Sequence, residues 1–424
     1  MNFNCRNCMN SLIEIIDFGL MPISNAFKSD KKIKDYRFSM KLMFCDNCKL
    51  VQLAEQPDPK IMFNESYPFF TGKSKFMIEH FKNVAEEIFL NYLNSEAASV
   101  IVEIGCNDGT FLTNFKNKGI KIIGFEPSKS AAKKAEENGI KIISDFFNIQ
   151  SAKYLKENNS LATVIYASNV ICHIAEINNL AKAVSESLED DGYFIFEEPY
   201  LGDVLKLNSF DQIYDEHVFL FSLKSVENIF AKYGLKLFHA EHLNTHGGSM
   251  RYYLSKNSNI TVSENYILLV KKEKEFKVND LDSLNQFSDN CKKFQKDFIE
   301  FLNSPIRINN KTLVGYPATS KSTTIINFVG GKSPDFQYIY DSTEEKIGGV
   351  APGSGIPIID EKSIANSTPD YCFLFGWNHH RELLAKLEKD PISFKTKWLT
   401  HIPNFKVYEN FNLLSMHLNE LIND

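Results

Sequence analysis

The segment Tyr214-Asp215-Glu216-His217 places consecutive polar or ionisable side chains inside an apolar, aromatic stretch that runs from Leu201 to Leu223. Burying such groups without partners is costly, so we expect them to face a pocket. A histidine titrates near neutral pH and can therefore remove a proton in catalysis. A neighbouring carboxylate such as Glu216 raises the basicity of the imidazole where the two side chains meet. The pattern predicts a general base at His217; a hydrogen-bonded core histidine is the alternative interpretation.

Two cysteine pairs near the N-terminus, Cys5-x-x-Cys8 and Cys45-x-x-Cys48, supply four thiols. Two such pairs close a tetrahedral zinc site and leave no open coordination position, so we predict a zinc ribbon with structural Zn²⁺. The interval between the pairs is longer than the roughly 15–20 residues usual in such sites, so the intervening segment must form its own loop. Redox cysteines or buried free thiols are the alternatives.

An apolar run from Ser99 to Ile104 ends in Gly105-Cys106-Asn107-Asp108-Gly109, which predicts a buried parallel strand, a tight turn and a helix. The next strand, Lys121 to Phe125, ends in Glu126, at the distance where an acidic residue binds ribose hydroxyls. An acidic Asp108 suits a turn that holds a sulfonium better than one that holds a pyrophosphate. The turn therefore favours S-adenosylmethionine over a dinucleotide.

Strands and helices alternate from Ser99 to about residue 200, which predicts a doubly wound parallel sheet with its ligand at the carboxyl ends of the strands. The predicted strands are Ser99–Ile104, Lys121–Phe125, Ile142–Ser144, Leu161–Ala167 and Tyr193–Glu198, with helices at Ser128–Glu137 and Ile177–Leu188. We expect the site residues at these strand ends, among them Asp145 and Phe146, which we expect to flank an adenine.

The C-terminal part of the chain predicts a second α/β unit. Its first strand, Lys311 to Gly315, runs into a turn and a helix that begins near Thr323, and Lys321 in that turn is a candidate for binding phosphate. Glu- and Lys-rich residues 262–301 predict a helical connector. The expected domains are residues 1–60 for zinc, 61–255 for the cofactor, 256–305 as the connector and 306–424 as the second Rossmann-like unit.

The composition is that of a globular protein, with 43% hydrophobic and 24% charged residues and a formal net charge of −6 over 424 residues. We find no basic stripe, which argues against nucleic acid as a partner. We also find no apolar run of about 20 residues and no signal-peptide pattern. We therefore expect a cytoplasmic protein without a membrane segment, either a monomer or a weak homo-oligomer.

Taken together and in order, the motifs resemble those of the S-adenosylmethionine-dependent sugar 3-C-methyltransferases. The resemblance covers essentially the whole chain and rests on the following motifs: the four N-terminal cysteines, V-E-I-G-C-N-D-G from Val102, Ala167 to Ile174, Tyr214 to His217, His246 to Arg251, Gly315 to Lys321, Pro352 to Ile358, and Gly376-Trp377-Asn378. It implies an N-terminal zinc module, a central class I methyltransferase domain, a C-terminal Rossmann-like domain and a nucleotide-linked keto-sugar substrate.

The family reaction adds a methyl group to a sugar carbon next to a 4-keto group, after a base has removed the C3 proton to give an enolate. The resemblance assigns the base to His217, with Glu216 and Tyr214 beside it, and further active-site roles to Tyr67 and His173. We expect the cofactor to bind at Gly105, Asn107, Gly109, Glu126, Asp145, Phe146, Ser168 and Asn169, and the substrate at Arg251, Lys321 and Asn378.

Three other functions remain open at this stage. The first is methylation of a sugar oxygen or nitrogen, which needs a base less. The second is a zinc-ribbon protein that binds or modifies RNA, and the third is a non-catalytic scaffold that keeps the pocket. The C-terminal turn Tyr316-Pro317-Ala318-Thr319-Ser320 also departs from the small residues and glycine of the family. The nucleotide, and the end of it that this domain binds, therefore stay undetermined.

Overall fold

The computed structural model describes residues 3–30, 32–62, 70–93, 99–332, 335–366 and 368–423. Over these residues, three β-sheets follow one another along the chain. The strands are β1 Ile13–Pro22, β2 Arg37–Phe44, β3 Val51–Leu53, β4 Val100–Ile104, β5 Lys121–Phe125, β6 Ile142–Ile143, β7 Ala162–Ser168, β8 Leu188–Pro199, β9 Phe219–Leu220, β10 Lys236–Leu243, β11 Ser249–Ser255, β12 Leu313–Tyr316, β13 Ile339–Asp341, β14 Ile358–Asp360, β15 Tyr371–Leu374, β16 Lys397–Thr400 and β17 Lys406–Tyr408.

The helices cover the sheets and connect them. They are α1 Pro59–Met62, α2 Lys75–Tyr92, α3 Lys129–Glu137, α4 Ile149–Glu157, α5 Ile177–Ser187, α6 Leu201–Leu207, α7 Leu223–Phe230, α8 Glu264–Glu275, α9 Leu281–Phe301, α10 Ser320–Phe328, α11 His380–Leu387, α12 Pro391–Lys395 and α13 Phe411–Asn423. Among these described helices, none combines the length and the apolar character needed to cross a membrane.

The central sheet has the strand order β10-β11-β8-β7-β4-β5-β6. Strands β4 to β8 are parallel, whereas β11 runs antiparallel to both β8 and β10. Every residue of β4 is buried, as expected for a strand covered on both faces. The predicted doubly wound sheet is confirmed, and its parallel strands bring the ends of β4, β5 and β7 to one edge.

Some local predictions for this sheet were wrong. The helix expected after Gly109 is only a 3₁₀ turn at Leu112–Phe115, so the first crossover is unusually short. Its aromatic residues Phe111 and Phe115 pack face to edge, with ring centroids 5.3 Å apart, and are fully buried. Burial of these rings replaces the packing that a longer helix supplies.

The C-terminal sheet has the order β14-β13-β12-β15-β16-β17, and only β17 pairs antiparallel among its described strands. This order confirms a second Rossmann-like sheet. The strand β16 at Lys397–Thr400, which the sequence analysis did not predict, carries the fully buried Trp398. The expected connector consists of α8 and α9, with a break between Phe276 and Asp280.

The N-terminal sheet has the order β1-β2-β3-β9. Strand β9 comes from the central part of the chain, more than 150 residues after β3. Val51 of β3 pairs with Leu220, and Gln52 pairs with Phe219. The zinc-binding end of the chain is therefore joined by strand pairing to residues that follow His217 directly.

The four N-terminal cysteines converge at one end of this sheet. Cys5 Sγ lies 3.5 Å from Cys48 Sγ, and Cys8 Sγ lies 3.3 Å from Cys45 Sγ. These separations are far longer than the about 2.05 Å of a disulfide and close to the about 3.8 Å edge of a tetrahedral zinc–thiolate centre. The donor set fits Zn²⁺.

The surroundings of the sulfurs support the same interpretation. The amide of Met9 donates to Cys5 O and the amide of Lys49 donates to Cys45 O, so the two knuckles have the same turn. Side-chain amides of Asn10 and Gln52 donate to Cys8 Sγ and Cys5 Sγ at 3.3 and 3.2 Å. Donors directed at the sulfurs favour thiolates, the form that binds zinc.

We expect Cys48→Ser to remove zinc and to lower the apparent melting temperature by roughly 5 °C or more, because binding energy at a structural zinc site is folding energy. Activity should fall as well, because β3 of this sheet pairs with β9, which directly follows the His217 segment. Metal analysis and thermal denaturation measure both effects. Cys372→Ser, a buried thiol in β15, is the matched control. A Cys48→Ser protein with wild-type zinc content and melting temperature would contradict the assignment.

Candidate active site

A cavity of about 920 Å³ lies where the three sheets meet. Its wall combines the carboxyl ends of β4, β5 and β7, the segment around His217, and the start of α10. The predicted site residues in this wall are Gly105, Asn107, Glu126, Phe146, Ser168, Asn169, His173, Tyr214, Glu216, His217 and Lys321. Gly109, Asp145, Arg251 and Asn378 lie outside the described lining, and Tyr67 lies outside the described residues.

Glu126 organises the cofactor end of the cavity. Its Oε2 accepts a hydrogen bond from Asn107 N at 2.9 Å, and its Oε1 accepts one from Ser128 N at 2.8 Å. Burial raises the pKa of this carboxyl, whereas the two amide bonds oppose that rise. A buried carboxylate at the end of the second parallel strand, with Phe146 and Phe147 in the same wall, fits the ribose and adenine of S-adenosylmethionine.

The glycines of the turn have different roles. A Cβ on Gly105 would lie 2.5 Å from Val170, and its φ of +67° is costly for other residues, so the backbone approaches the 170 segment closely. Gly109, with φ of +77°, instead faces Ala135 of α3 and Ile140 behind the turn. Gly109 therefore supports the packing of the turn and does not line the cavity.

Asp108 is not among the residues that line the cavity, so the expectation that its charge lies near a sulfonium was wrong. Its Oδ2 accepts from Gly72 N at 2.8 Å, and its Oδ1 accepts from the Thr110 hydroxyl at 2.5 Å. Asn107 Oδ1 similarly accepts from Thr71 N. The acidic side chain anchors the segment before α2 to the cofactor turn, so its charge is not evidence for a sulfonium. Asp145 is exposed, and its carboxylate accepts from Phe146 N.

His217 is held by hydrogen bonds on both ring nitrogens. Nδ1 lies 2.7 Å from Gln212 O, and Nε2 lies 2.7 Å from the Tyr214 hydroxyl. A carbonyl only accepts, so Nδ1 carries the proton and Nε2 accepts from the tyrosine. Burial lowers the pKa of His217 well below its ordinary value, and the neighbouring His173 contributes to the same shift. The imidazole is therefore a neutral proton acceptor at neutral pH.

His173 stacks on His217, with ring centroids 5.4 Å apart and an angle of 20° between the rings. It lies in a 3₁₀ turn at Ile171–His173 that follows β7. Glu198 holds this turn, because its Oε1 accepts from the amides of Val170, Ile171 and Cys172. Burial raises the pKa of Glu198 to about 7. The turn therefore fixes His173 beside His217.

Glu216 connects the segment around His217 to the N-terminal and C-terminal parts of the chain. Its Oε1 accepts from Asn25 Nδ2 at 2.6 Å, and Asn25 Oδ1 accepts from the Ser320 hydroxyl at 3.0 Å. The carboxylate therefore does not hydrogen-bond the His217 ring nitrogens, whose partners are Gln212 and Tyr214. The predicted increase in basicity through Glu216 is replaced by orientation through Gln212 O.

Lys321 is the cation on the C-terminal side of the cavity. Its Nζ donates to Asn378 Oδ1 at 3.1 Å and to His246 O at 3.4 Å, and lies 4.9 Å from the Trp377 ring centroid. None of these three partner groups carries a charge. Burial lowers the pKa of Lys321 to about 8, with Asp211 acting in the opposite direction. Asn378 is thus a support for the lysine at the edge of the cavity.

Arg251 has a structural role in the described chain and does not reach the cavity. Its guanidinium binds Glu197 at 2.7 Å, Glu87 at 2.8 Å and Glu241 at 2.9 Å. Although burial alone would raise the pKa of Glu197, hydrogen bonds from His80 and the charge of Arg251 hold that pKa at about 2. The network ties α2 to β8, β10 and β11, and Arg251 is not among the residues that line the cavity.

Several wall residues were missed by the sequence analysis. Gln212 Nε2 donates to His246 O at 2.6 Å, and both residues line the cavity. Burial holds the pKa of His246 at about 3. Its φ of +56° is unusual for histidine and fixes the carbonyl toward Gln212. Asn25 and Lys346 also line the wall. His246 stood in one of the motifs that carry the resemblance but was given no role, and Asn25 was marked only by its proximity to Pro22.

Comparison with known proteins agrees with this arrangement. Residues 5–63 match a family described as a zinc binding domain, residues 75–240 a methyltransferase domain, and residues 244–403 a C-methyltransferase C-terminal domain. The chain is 25% identical over 407 residues to the C-methyltransferase NovU of Streptomyces niveus, covering 95% of this chain and 96% of that protein.

Two further proteins resemble parts of the chain. The carboxy-S-adenosyl-L-methionine synthase of Nautilia profundicola is 27% identical over 155 residues, which is 35% of this chain and 60% of that protein. The solved structure of a SAM-dependent methyltransferase from Archaeoglobus fulgidus has a TM-score of 0.35 at 15% identity, covering 42% of this chain and 94% of that one.

The matched domains follow one another in the order of the sheets, and the NovU match runs through all of them. The central sheet is the class I methyltransferase fold, and the four clustered cysteines lie in the zinc binding domain. The chain therefore combines a methyltransferase domain with a C-methyltransferase C-terminal domain, the composition of an S-adenosylmethionine-dependent C-methyltransferase.

Proposed function

We propose that this enzyme methylates C3 of a nucleotide-linked 4-keto-deoxysugar through an enolate. The observation that carries the proposal is the Tyr214–His217 pair, a neutral imidazole acceptor behind a phenol in the wall of a cavity that also holds the cofactor residues. A C–H bond loses its proton only where a neighbouring carbonyl takes up the charge, so carbon methylation needs such an acceptor. Methylation of an oxygen or nitrogen needs it less.

The hydrogen bonds define a path for the proton. The Tyr214 hydroxyl donates to His217 Nε2, and Tyr214 lines the cavity, so we assign the phenol oxygen to the contact with the substrate. As the phenolic proton passes to Nε2, the Tyr214 oxygen takes the proton from C3, and the C–H electron pair moves into the enolate. The imidazolium then donates to Tyr214, whose new O–H bond points back to the substrate. His217 is the proton sink and Tyr214 is the group that touches the substrate.

Cofactor binding is assigned to the edge formed by β4, β5 and β7, with Glu126 for the ribose hydroxyls, Phe146 for the adenine and Asn107, Ser168 and Asn169 along the wall. When bound, S-adenosylmethionine supplies an electrophilic methyl group. His173, stacked beside the base, is assigned to the oxyanion, and Tyr67 stays a predicted active-site residue.

The diphosphate of the substrate is assigned to the C-terminal wall. Lys321 has neutral hydrogen-bond acceptors, so its charge is available to an anion in the cavity. Lys346 lies in the same wall and donates to Ala318 O at 2.8 Å, with Asp341 3.7 Å away. Lys321 lies in the first turn of α10, and Lys346 contacts the chain just before that helix. Two lysines in one wall favour a group with two negative charges there.

We expect the wild-type enzyme to add the mass of one methylene to at least one member of a panel of dTDP-, GDP- and CDP-linked 4-keto-deoxysugars, with NMR placing the methyl on C3. His217→Asn and Tyr214→Phe should each lower kcat by about 10²–10⁴-fold, because each removes a part of the proton path.

The matched control is His242→Asn, an exposed histidine bonded to Asp203 outside the cavity. It should retain wild-type turnover, and all variants should bind S-adenosylmethionine with wild-type affinity. Methyl transfer to a sugar oxygen, or His217→Asn turnover within about 3-fold of wild type, would favour O- or N-methylation and reject the carbon reaction.

The pH profile tests the role of Lys321. Its pKa is lowered to about 8, so the ammonium is charged below that pH and loses its charge above it. We expect kcat/KM to fall above about pH 8 through a rise in KM, because the neutral amine no longer attracts the diphosphate. Lys321→Arg should move this limb to higher pH, since guanidinium stays charged. An alkaline limb unchanged in Lys321→Arg would show that another group titrates.

A further inference from the structure

Cys172, His173 and His217 form a second cluster of metal-ligating side chains in the described chain. One potential ligand atom from each lies within 4.8 Å of the others. Cys172 and His173 are adjacent in the 3₁₀ turn after β7, and His217 stacks on His173 from the neighbouring segment. The cluster is separate from the four N-terminal cysteines.

These ligand types select a particular class of ion. One thiolate and two imidazoles suit a borderline or soft divalent cation such as Zn²⁺, Co²⁺ or Cd²⁺ and not Mg²⁺ or Ca²⁺. In a tetrahedral zinc site the donor atoms of thiolate and imidazole ligands lie about 3.4–3.6 Å apart, so the distances between the present ligand atoms must shorten by at most about 1.4 Å. Rotation of the side chains covers such a distance.

The surroundings already have the arrangement that a ligating histidine requires. Metal-bound imidazoles usually donate their second N–H to a carbonyl or carboxylate, and His217 Nδ1 donates to Gln212 O at 2.7 Å. Nε2 is thereby the nitrogen that faces Tyr214 and the cavity. A cation entering from the cavity replaces one hydrogen bond, that of the Tyr214 hydroxyl, and leaves the orienting bond in place.

We propose that Cys172, His173 and His217 form an inhibitory site for a thiophilic divalent cation, with Zn²⁺ as the physiological ion. Coordination releases the Cys172 thiol proton to solvent, and a water molecule from the cavity fills the fourth position of the ion. His173 and His217 line the cavity, whereas Cys172 is buried outside its lining. The open coordination position distinguishes this site from the closed four-cysteine centre.

The consequence for activity rests on the proposed function. A cation on His217 Nε2 occupies the lone pair that receives the proton, so the Tyr214–His217 pair no longer accepts a proton from C3. Zinc in excess of one equivalent then inhibits methyl transfer without displacing S-adenosylmethionine. The enzyme would contain one zinc that stabilises the fold and a second, weaker site at which zinc blocks proton transfer.

Cobalt binding to the holoenzyme with one zinc equivalent tests the site directly. We expect one further equivalent of Co²⁺ to bind with a cobalt–thiolate charge-transfer band while the bound zinc is retained. Cys172→Ser should lose this band and bind Co²⁺ at least about 10-fold more weakly. Its uninhibited turnover should stay near wild type, and its inhibition by Zn²⁺ should need at least about 10-fold more metal.

Two further variants keep the test decisive. Cys291→Ser removes another buried thiol, far from the cluster, and should retain the band. His173→Gln removes an imidazole without touching the sulfur and should weaken Co²⁺ binding even if Cys172→Ser does not fold. Absence of a second Co²⁺ equivalent in the wild type, or unchanged affinity in the Cys172 and His173 variants, would overturn the proposal. The band does not depend on turnover, so it separates this proposal from failure of the sugar reaction.

Discussion

The active site depends on the hydrogen bonds of one buried segment, residues 211–217, to every part of the chain around it. Asp211 accepts from Trp377 Nε1 and lies 2.8 Å from His401 Nε2, both in the C-terminal unit. Near the other end of this segment, the Asp215 carboxylate accepts a hydrogen bond from Ser24 N. The remaining contacts are Gln212 to His246 O, Thr324 Oγ1 to Ile213 O, and Asn25 to Glu216. Unpaired polar groups would be costly at this depth, so these partners together fix one conformation.

This constraint explains why the chain needs three units for one reaction. The cofactor edge is formed within the central sheet, where Glu126 and Asn107 bind each other through local bonds. The position of His217 is different, because Gln212 O orients this ring and residues 211–217 are held by contacts from the N-terminal and C-terminal parts of the chain. The residues proposed for cofactor binding and those proposed for proton transfer are therefore held by separate contacts. The pairing of β3 with β9 connects the N-terminal sheet to the residues that follow His217.

The predictable parts of the fold are those with a strong local pattern. The β-branched run at β4, the paired cysteines and the strand–helix alternation specify the central sheet, the metal centre and the second Rossmann-like unit. Strand β9 has two residues, too few for any periodicity, and its pairing with β3 spans more than 150 residues. The 3₁₀ turn after Gly109 replaces the expected helix because aromatic packing outweighs local preference. Contacts of this kind cannot be predicted from the pattern of neighbouring residues in the sequence.

The contacts of the candidate site also divide into those that a local sequence pattern predicts and those that only the fold brings together. Tyr214 and His217 are neighbours in sequence, so their contact was predictable, whereas the carbonyl that orients His217 and the amide that binds Glu216 were not. Arg251 was expected to bind substrate because an arginine in a glycine-rich motif suggests an anion. Its three carboxylate partners come from α2, β8 and β10, and only their spatial convergence reveals its structural role.

Exchange of the C3 proton with solvent is the most direct measurement of the central claim, that the Tyr214–His217 pair removes this proton. A nucleotide-linked 4-keto-deoxysugar that the enzyme methylates is incubated in D₂O with enzyme and without S-adenosylmethionine, and NMR follows the C3 signal. The account predicts that the wild-type enzyme washes deuterium into C3 and that His217→Asn and Tyr214→Phe slow this exchange by about 10²-fold or more. Exchange at the wild-type rate in both variants would contradict it.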